Sequence, residues 1–289
     1  MTVDPNALQT VTVELADKIL IVTLNRPDKR NALSSRMKEE VIATIEAAAD
    51  DPGAHVVVIK GAGKSFCSGY DIGPSGGRDN AHGGAAVEMS LPQRTVKTVA
   101  SAREWTRIWN APIPVIAQIH GHCLAGGTDL ALHCDLVLTA DDAMIGFPAL
   151  RMGGTPPANM WLYHLGVQWS KRLLFTGDTF TGRMAEKIGF ALEAVPSEEL
   201  DARVMALARR IAAMGKDIVA INKHVLNRGV DLMGRTALQE IAGSMDSIAN
   251  QAAEMAAFHK RVAEIGLAEA FKERDAPFAE GVPLDIAKS

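Results

Sequence analysis

Residues 61–72 read GAGKSFCSGYDI, a glycine-rich turn that follows the apolar run HVVVIK and gathers a lysine, two serines, a thiol, a phenol and a carboxylate. A phosphate loop is the first chemistry to test, because Gly63-Lys64-Ser65 ends as a Walker A loop ends. That motif needs a glycine five positions before the Gly-Lys pair, and Val58 stands there. A dinucleotide fingerprint fails too: Gly61 and Gly63 have the G-x-G spacing, but Phe66 occupies the next required glycine position. A second cluster, HGHCLAGGTDLAL at 120–132, sets two histidines, a thiol and a carboxylate around paired glycines. What the two clusters share is backbone. Gly69 lets the chain turn and expose the amide of Tyr70, and Gly126-Gly127 open a helix whose first amides and positive dipole end face outward. Two such amides converging on one point form an oxyanion hole.

The side chains around these glycines read as follows. Cys67, Cys123 and Cys134 contain no C-x-x-C pair, and an odd, sparse set fits reduced thiols rather than a disulfide framework or a zinc site. His120 and His122 shortly precede Cys123, yet neighbours on a strand point to opposite faces, so the three are read as separate and the thiols as buried and inert. No metal site is expected.

The elements that must position the two clusters alternate between strand and helix. VTVELADKILIVTLN reads as a hairpin turning at Asp17-Lys18. SSRMKEEVIATIEAAADDP reads as a helix capped by Ser34 or Ser35, with Glu39 as a capping-box candidate. HVVVIKG, APIPVIAQIHG and CDLVLTA are apolar on both faces, as in the buried strands of a largely parallel sheet, and GGTDLALH is a short helix between the last two. Residues 73–92 are glycine-rich and expected to form a mobile surface loop over the site. From about Leu200 onward the pattern is helical and rich in methionine, which fits packing or a subunit interface.

The 289 residues, 47% hydrophobic and 22% charged, can bury a substantial core. A formal charge of −4 without a long basic run argues against nucleic acid as a partner. No stretch approaches eighteen uninterrupted apolar residues and MTVDPNALQT has no signal-peptide pattern, so a cytoplasmic protein with no membrane partner is expected.

Four segments carry a resemblance to a known family: RPDKRNAL at 26–33, GAGKSFCSGYDI at 61–72, PVIAQIHGHCLAGGTDLALHCDLVLTADDAMIGFPALRMGGTPP at 114–157, and ERDAPF at 273–278. In that order, over nearly the whole chain, they resemble the enoyl-CoA hydratase/isomerase, or crotonase, superfamily. The resemblance implies an α/β, ClpP-like spiral of repeated ββα units over 1–199, followed by a helical trimerisation region over 200–289. It implies a homotrimer or a dimer of trimers acting on an acyl-CoA thioester, with coenzyme A entering as part of the substrate and no permanently bound cofactor.

Carried over by position, the oxyanion donors are the amides of Tyr70 and Gly126. Hydratases of the family place two glutamates around a water; the first position matches Asp129 and the second matches Ala149, after Phe147-Pro148. Asp129 is thus the candidate acid/base, and Ala149 cannot move a proton. The thioester and its nucleotide are expected along Lys29, Arg30, Ala32, Ser68, Gly69, Asp71, Ile72, His122, Gly127, Pro148 and Ala149. Arg274 resembles a residue that reaches a neighbouring subunit's nucleotide pocket.

For the missing glutamate several stand-ins remain open. His122 is either a base near neutral pH or a structural histidine under the sheet. The Tyr70 phenol either shapes the acyl pocket or acts as an acid. His82 and Glu88 sit in the glycine-rich loop, Arg151 and Asn159 could orient an unusual acyl group, and Asp71 and Asp135 read as structural carboxylates. Three functions follow: a hydratase or isomerase working through Asp129; another crotonase reaction such as decarboxylation or hydrolysis; or a non-catalytic acyl-CoA binder.

Overall fold

The structure, a computed structural model, describes residues 7–72 and 89–286. The chain opens with β1 (Val11–Ala16) and β2 (Ile19–Leu24), an antiparallel hairpin whose two turn residues, Asp17 and Lys18, both take positive φ. That turn geometry matches the twist of the strands it joins. Next come α1 (Ser35–Asp50), β3 (Val56–Gly61), α2 (Leu91–Asn110), β4 (Val115–Ile119), β5 (His122–Leu124) and α3 (Gly126–His133). They are followed by β6 (Leu136–Ala140), β7 (Met144–Gly146), α4 (Trp161–Thr176), β8 (Thr179–Thr181), α5 (Gly182–Ile188) and β9 (Glu193–Val195). The last part is helical: α6 (Leu200–Ala212), α7 (Lys216–Leu232), α8 (Arg235–Ala249), α9 (Ala253–Ile265) and α10 (Leu267–Asp275).

The main sheet has the order β1-β2-β3-β4-β6-β9, and every pairing after the opening hairpin is parallel. Val56, Val57, Val58 and Ile59 of β3 and all five residues of β4 are buried, which is why these runs are apolar on both faces. A smaller sheet, β5-β7-β8, runs beside it. Isolated bridges Leu33↔Tyr70 and Cys67↔Cys123 continue this second layer. Each central strand therefore leads into a short second-layer segment and then a helix, the repeated ββα unit that the sequence resemblance implies.

Two local expectations change. Ser34 caps α1 by accepting from the Met37 amide, so the capping-box position holds Met37; Glu39 instead pairs with Arg107 at 2.8 Å. The expected loop over 73–92 ends sooner: Ser90 and Gln93 form a reciprocal capping box that starts α2 at Leu91. Residues 73–88, with His82 and Glu88, lie outside the described residues. The boundary expected at 199/200 falls just before α6, whose Leu200, Val204, Ala208 and Ala212 are buried and which packs on β2, β3, β4 and β6. Among the described residues no helix is long and apolar enough to cross a membrane.

Candidate active site

The two glycine-rich clusters meet at the C-terminal ends of β3 and β4. Leu33 donates its amide to the Gly69 carbonyl at 2.8 Å and accepts from the Asp71 amide at 3.0 Å, which turns the intervening Tyr70 amide to the other side. On that side lies the head of α3. A Cβ added to Gly69 would sit 3.6 Å from the Gly126 nitrogen, and one added to Gly126 would sit 2.8 Å from the Tyr70 ring. Both positions need glycine for close approach, and Gly69 also has φ +112. Ala125, the residue before α3, is held at φ 46 and ψ −116, a costly conformation for a residue with a Cβ. Its carbonyl accepts from the Thr128 amide and hydroxyl at 2.8 and 2.6 Å, which fixes the first turn; Gly126 itself is buried and lies off the wall of the cavity described below.

Asp129 follows one turn into α3 and is only 2% exposed. Its carboxylate accepts the Tyr70 hydroxyl at 2.9 Å, and the Tyr70 oxygen accepts the indole N–H of Trp105 at 3.1 Å. Burial lifts the Asp129 carboxyl to about 8; the Tyr70 hydroxyl and the Lys38 ammonium pull the other way, while the negative charge of Asp246 adds to the rise. Burial and the neighbouring Asp129 push the Tyr70 phenol well above its ordinary value. His133 is held neutral by burial, its pKa lowered to about 3. It donates Nδ1–H to the Asp129 carbonyl at 2.7 Å, so its Nε2 accepts from Gln239 at 3.1 Å.

A cavity of about 720 Å³ opens in front of this network. Arg30, Ser68, Ile72, His122, Pro148 and Ala149 line it, together with Tyr70; Asp129 does not, because the Tyr70 ring stands between its carboxylate and the cavity. Lys29, Ala32, Gly69, Asp71 and Gly127 also lie off the wall. Lys29 is exposed, and the Ala32 carbonyl accepts from Arg26 at 2.6 Å. Asp71 is nearly buried and forms an ion pair with Arg26 at 2.8 Å, so its carboxylate braces the loop and does not face the ligand space. Gly127 gives room to Cys67, whose carbonyl would lie 2.8 Å from an added Cβ.

His122, Arg274 and Arg151 are each held by particular neighbours. His122 stands on the cavity wall and not under the sheet; its pKa is lowered by burial and then by the nearby Arg30, and Ser65 Oγ lies 3.2 Å from its Nδ1. Arg274 reaches the cavity of its own chain, stacked on Phe271 at 4.6 Å and paired with Asp275 at 2.7 Å. The cause is that α9 and α10 fold back against the turn at Pro148–Met152. Arg151 lines the cavity but is committed to Asp178 at 3.3 Å and Asp275 at 3.1 Å, whereas Asn159 does not reach it.

Asp135 is structural as read: it pairs with Lys223 at 2.8 Å and accepts the Val115 amide. All three cysteines are free and buried, and burial raises Cys67 to about 12. Trp105 escaped the sequence reading, because a tryptophan in an amphipathic helix carries no signal beyond packing.

The sequence matches the profile of the family described as Enoyl-CoA hydratase/isomerase over residues 14–274, most of the chain. The chain belongs to this family. Within the enoyl-CoA hydratase/isomerase family it is 32% identical to hydroxycinnamoyl-CoA hydratase-lyase of Pseudomonas fluorescens, over 76% of this chain and 79% of that one. It is 31% identical to crotonyl-CoA hydratase of Syntrophomonas wolfei, over 78% of this chain and 84% of that one. A crystal structure of an enoyl-CoA hydratase from Mycobacterium smegmatis superposes with a TM-score of 0.88 at 36% identity, covering 96% and 97% of the two chains. The chain is thus a family enzyme on the crotonase fold, and the family acts on coenzyme A thioesters.

Proposed function

We propose that the protein is an acyl-CoA enzyme of the hydratase/isomerase kind that works through a thioester enolate, with Tyr70 and Asp129 as its proton-handling pair. The observation that carries this reading is the Tyr70 side chain, which lines the cavity and is hydrogen-bonded through its hydroxyl to a buried carboxyl whose pKa is lifted to about 8. The thioester oxygen sits between the amides of Tyr70 and Gly126, where negative charge develops as the α-carbon gains or loses a proton. Each donor of this type lowers the barrier by roughly 3 to 4 kcal/mol.

The Tyr70 hydroxyl donates to the Asp129 carboxylate; below about pH 8 Asp129 takes up a proton and this bond reverses, the carboxyl then donating to the Tyr70 oxygen. That oxygen already accepts from Trp105, so its own hydrogen turns to the cavity and is delivered to the enolate carbon as Asp129 supplies the replacement. Asp129 is a positioning and proton-storing residue, and Tyr70 is the catalytic one. Arg30 is suited to the nucleotide phosphates, and Arg274, on the same chain, to the far end of the ligand.

Exposed apolar side chains on α7 and α8, among them Ile221, Val225, Leu232, Ile241 and Ile248, favour a homotrimer or a dimer of trimers. Three buried reduced thiols agree with a cytoplasmic setting. The test is exchange of the α-hydrogen of a saturated acyl-CoA in deuterium oxide. Exchange by the wild type that Tyr70→Phe abolishes supports the reading; tight binding without exchange leaves the runner-up, a non-catalytic acyl-CoA binder.

A further inference from the structure

Ala149 leaves its wall of the cavity without a proton carrier, yet hydration needs a base for the attacking water in addition to an acid for the α-carbon. The structure brings a different carboxylate to that wall. Asp246, near the end of α8, is 1% exposed and lines the cavity. Its Oδ1 accepts both the amide and the hydroxyl of Thr155, each at 3.1 Å, and its Oδ2 accepts from Asn250 Nδ2 at 3.1 Å. Thr155 and Gly154 are cavity residues that follow Ala149 in the chain, and the Gly154 amide donates to the Ala149 carbonyl at 3.0 Å. Asp246 is thereby tied to the segment that carries the position a glutamate would occupy. Its charge acts on both Tyr70 and Asp129, and Asp246 and Tyr70 line the same cavity.

The approach of α8 is specified in sequence. A Cβ on Gly243 would lie 3.0 Å from the Val99 Cα of α2, so glycine lets the two helices close together. Thr98 Oγ1 then donates to the Gly243 carbonyl at 2.7 Å, about one turn before the carboxylate, and Thr95 and Ser247, the residue after Asp246, share a hydrogen bond at 2.8 Å. A buried acid costs free energy unless it is well bonded, and here the helix contact and the Thr155 loop hold it in one place.

We propose that Asp246 is the second catalytic carboxylate of this site, carried by α8 to the wall that Ala149 leaves bare, where it takes the proton of the attacking water. This rests on the reading of the protein as an enoyl-CoA hydratase. As water adds to the β-carbon of a 2-enoyl-CoA, its oxygen forms the new C–O bond and its proton passes to Asp246. The C=C electron pair moves to the thioester oxygen held by the Tyr70 and Gly126 amides. The enolate then takes a proton at the α-carbon from the Tyr70 hydroxyl, which Asp129 refills. The product is a 3-hydroxyacyl-CoA, and exchange with water returns the proton from Asp246 and to Asp129.

The experiment is hydration of a chain-length series of 2-enoyl-CoA thioesters by wild type, Asp246→Asn, Ala149→Glu and the double variant, with thermal melting as a fold check. The expected result is a fall in kcat of about 10² to 10⁴-fold in Asp246→Asn at nearly unchanged KM, and recovery of at least about tenfold when Ala149→Glu is added. Should Asp246→Asn not fold, Thr155→Val is expected to lower kcat and Ala149→Glu to restore it. Asp246→Asn activity within about threefold of wild type, or a loss that Ala149→Glu does not relieve in either background, overturns the proposal. Failure of the wild type to hydrate any member overturns the hydratase reading and this inference with it.

Discussion

Replacing Tyr70 with phenylalanine keeps the backbone amide and the ring against Gly126 and removes only the hydroxyl that links Trp105, Asp129 and the cavity. The expected outcome is a kcat lowered by about 10² to 10⁴-fold with acyl-CoA binding preserved, checked by turnover kinetics beside calorimetric binding. Asp129 must be protonated to refill Tyr70, so kcat/KM is expected to fall as pH rises through about 8. A pH–rate profile of Asp129→Asn should lack that limb. Much of this was legible in the chain, since the glycines and Asp129 stand at readable spacings. What the spacing could not convey is that the Tyr70 side chain turns inward and covers Asp129, because that depends on the room left by Gly126 and on Trp105, a residue on another helix.

The elements around the site act through close approach. Gly126→Ala would bring a methyl group to 2.8 Å from the Tyr70 ring, so it is expected to displace the ring and disorder both hole and relay. The measurement is α-hydrogen exchange, which should drop by at least about tenfold even if the protein still folds. Strand and helix types followed from hydrophobic patterning in the hairpin, β3, β4 and β6. The short strands β5, β7 and β8 did not, because three residues are too few to show a period. The return of α10 over its own cavity was also hidden. It depends on contacts such as Arg151 with Asp275 and with the Phe278 ring, which are far apart in sequence.

For the molecule as a whole, the buried Asp129 carboxyl links proton binding to stability. Its pKa is about 8 when folded against an ordinary 3.8, so between those values the folded state holds the extra proton. Its contribution is full below about 3.8, is lost as pH rises to about 8, and is constant above. Melting curves of wild type and Asp129→Asn across this range should therefore diverge, with the variant losing less stability as pH rises. At the same scale, Val225, 62% exposed on α7, is expected to be covered in the proposed trimer. Val225→Asp should shift sedimentation from trimer toward monomer.

The most direct measurement is turnover of a series of 2-enoyl-CoA thioesters by the wild-type protein in deuterium oxide, with product mass and the position of the label read together. The account predicts addition of one water, deuterium at the α-carbon, and loss of both in Tyr70→Phe. Full turnover by Tyr70→Phe, or tight binding of the thioester by wild type with neither hydration nor exchange, would contradict it.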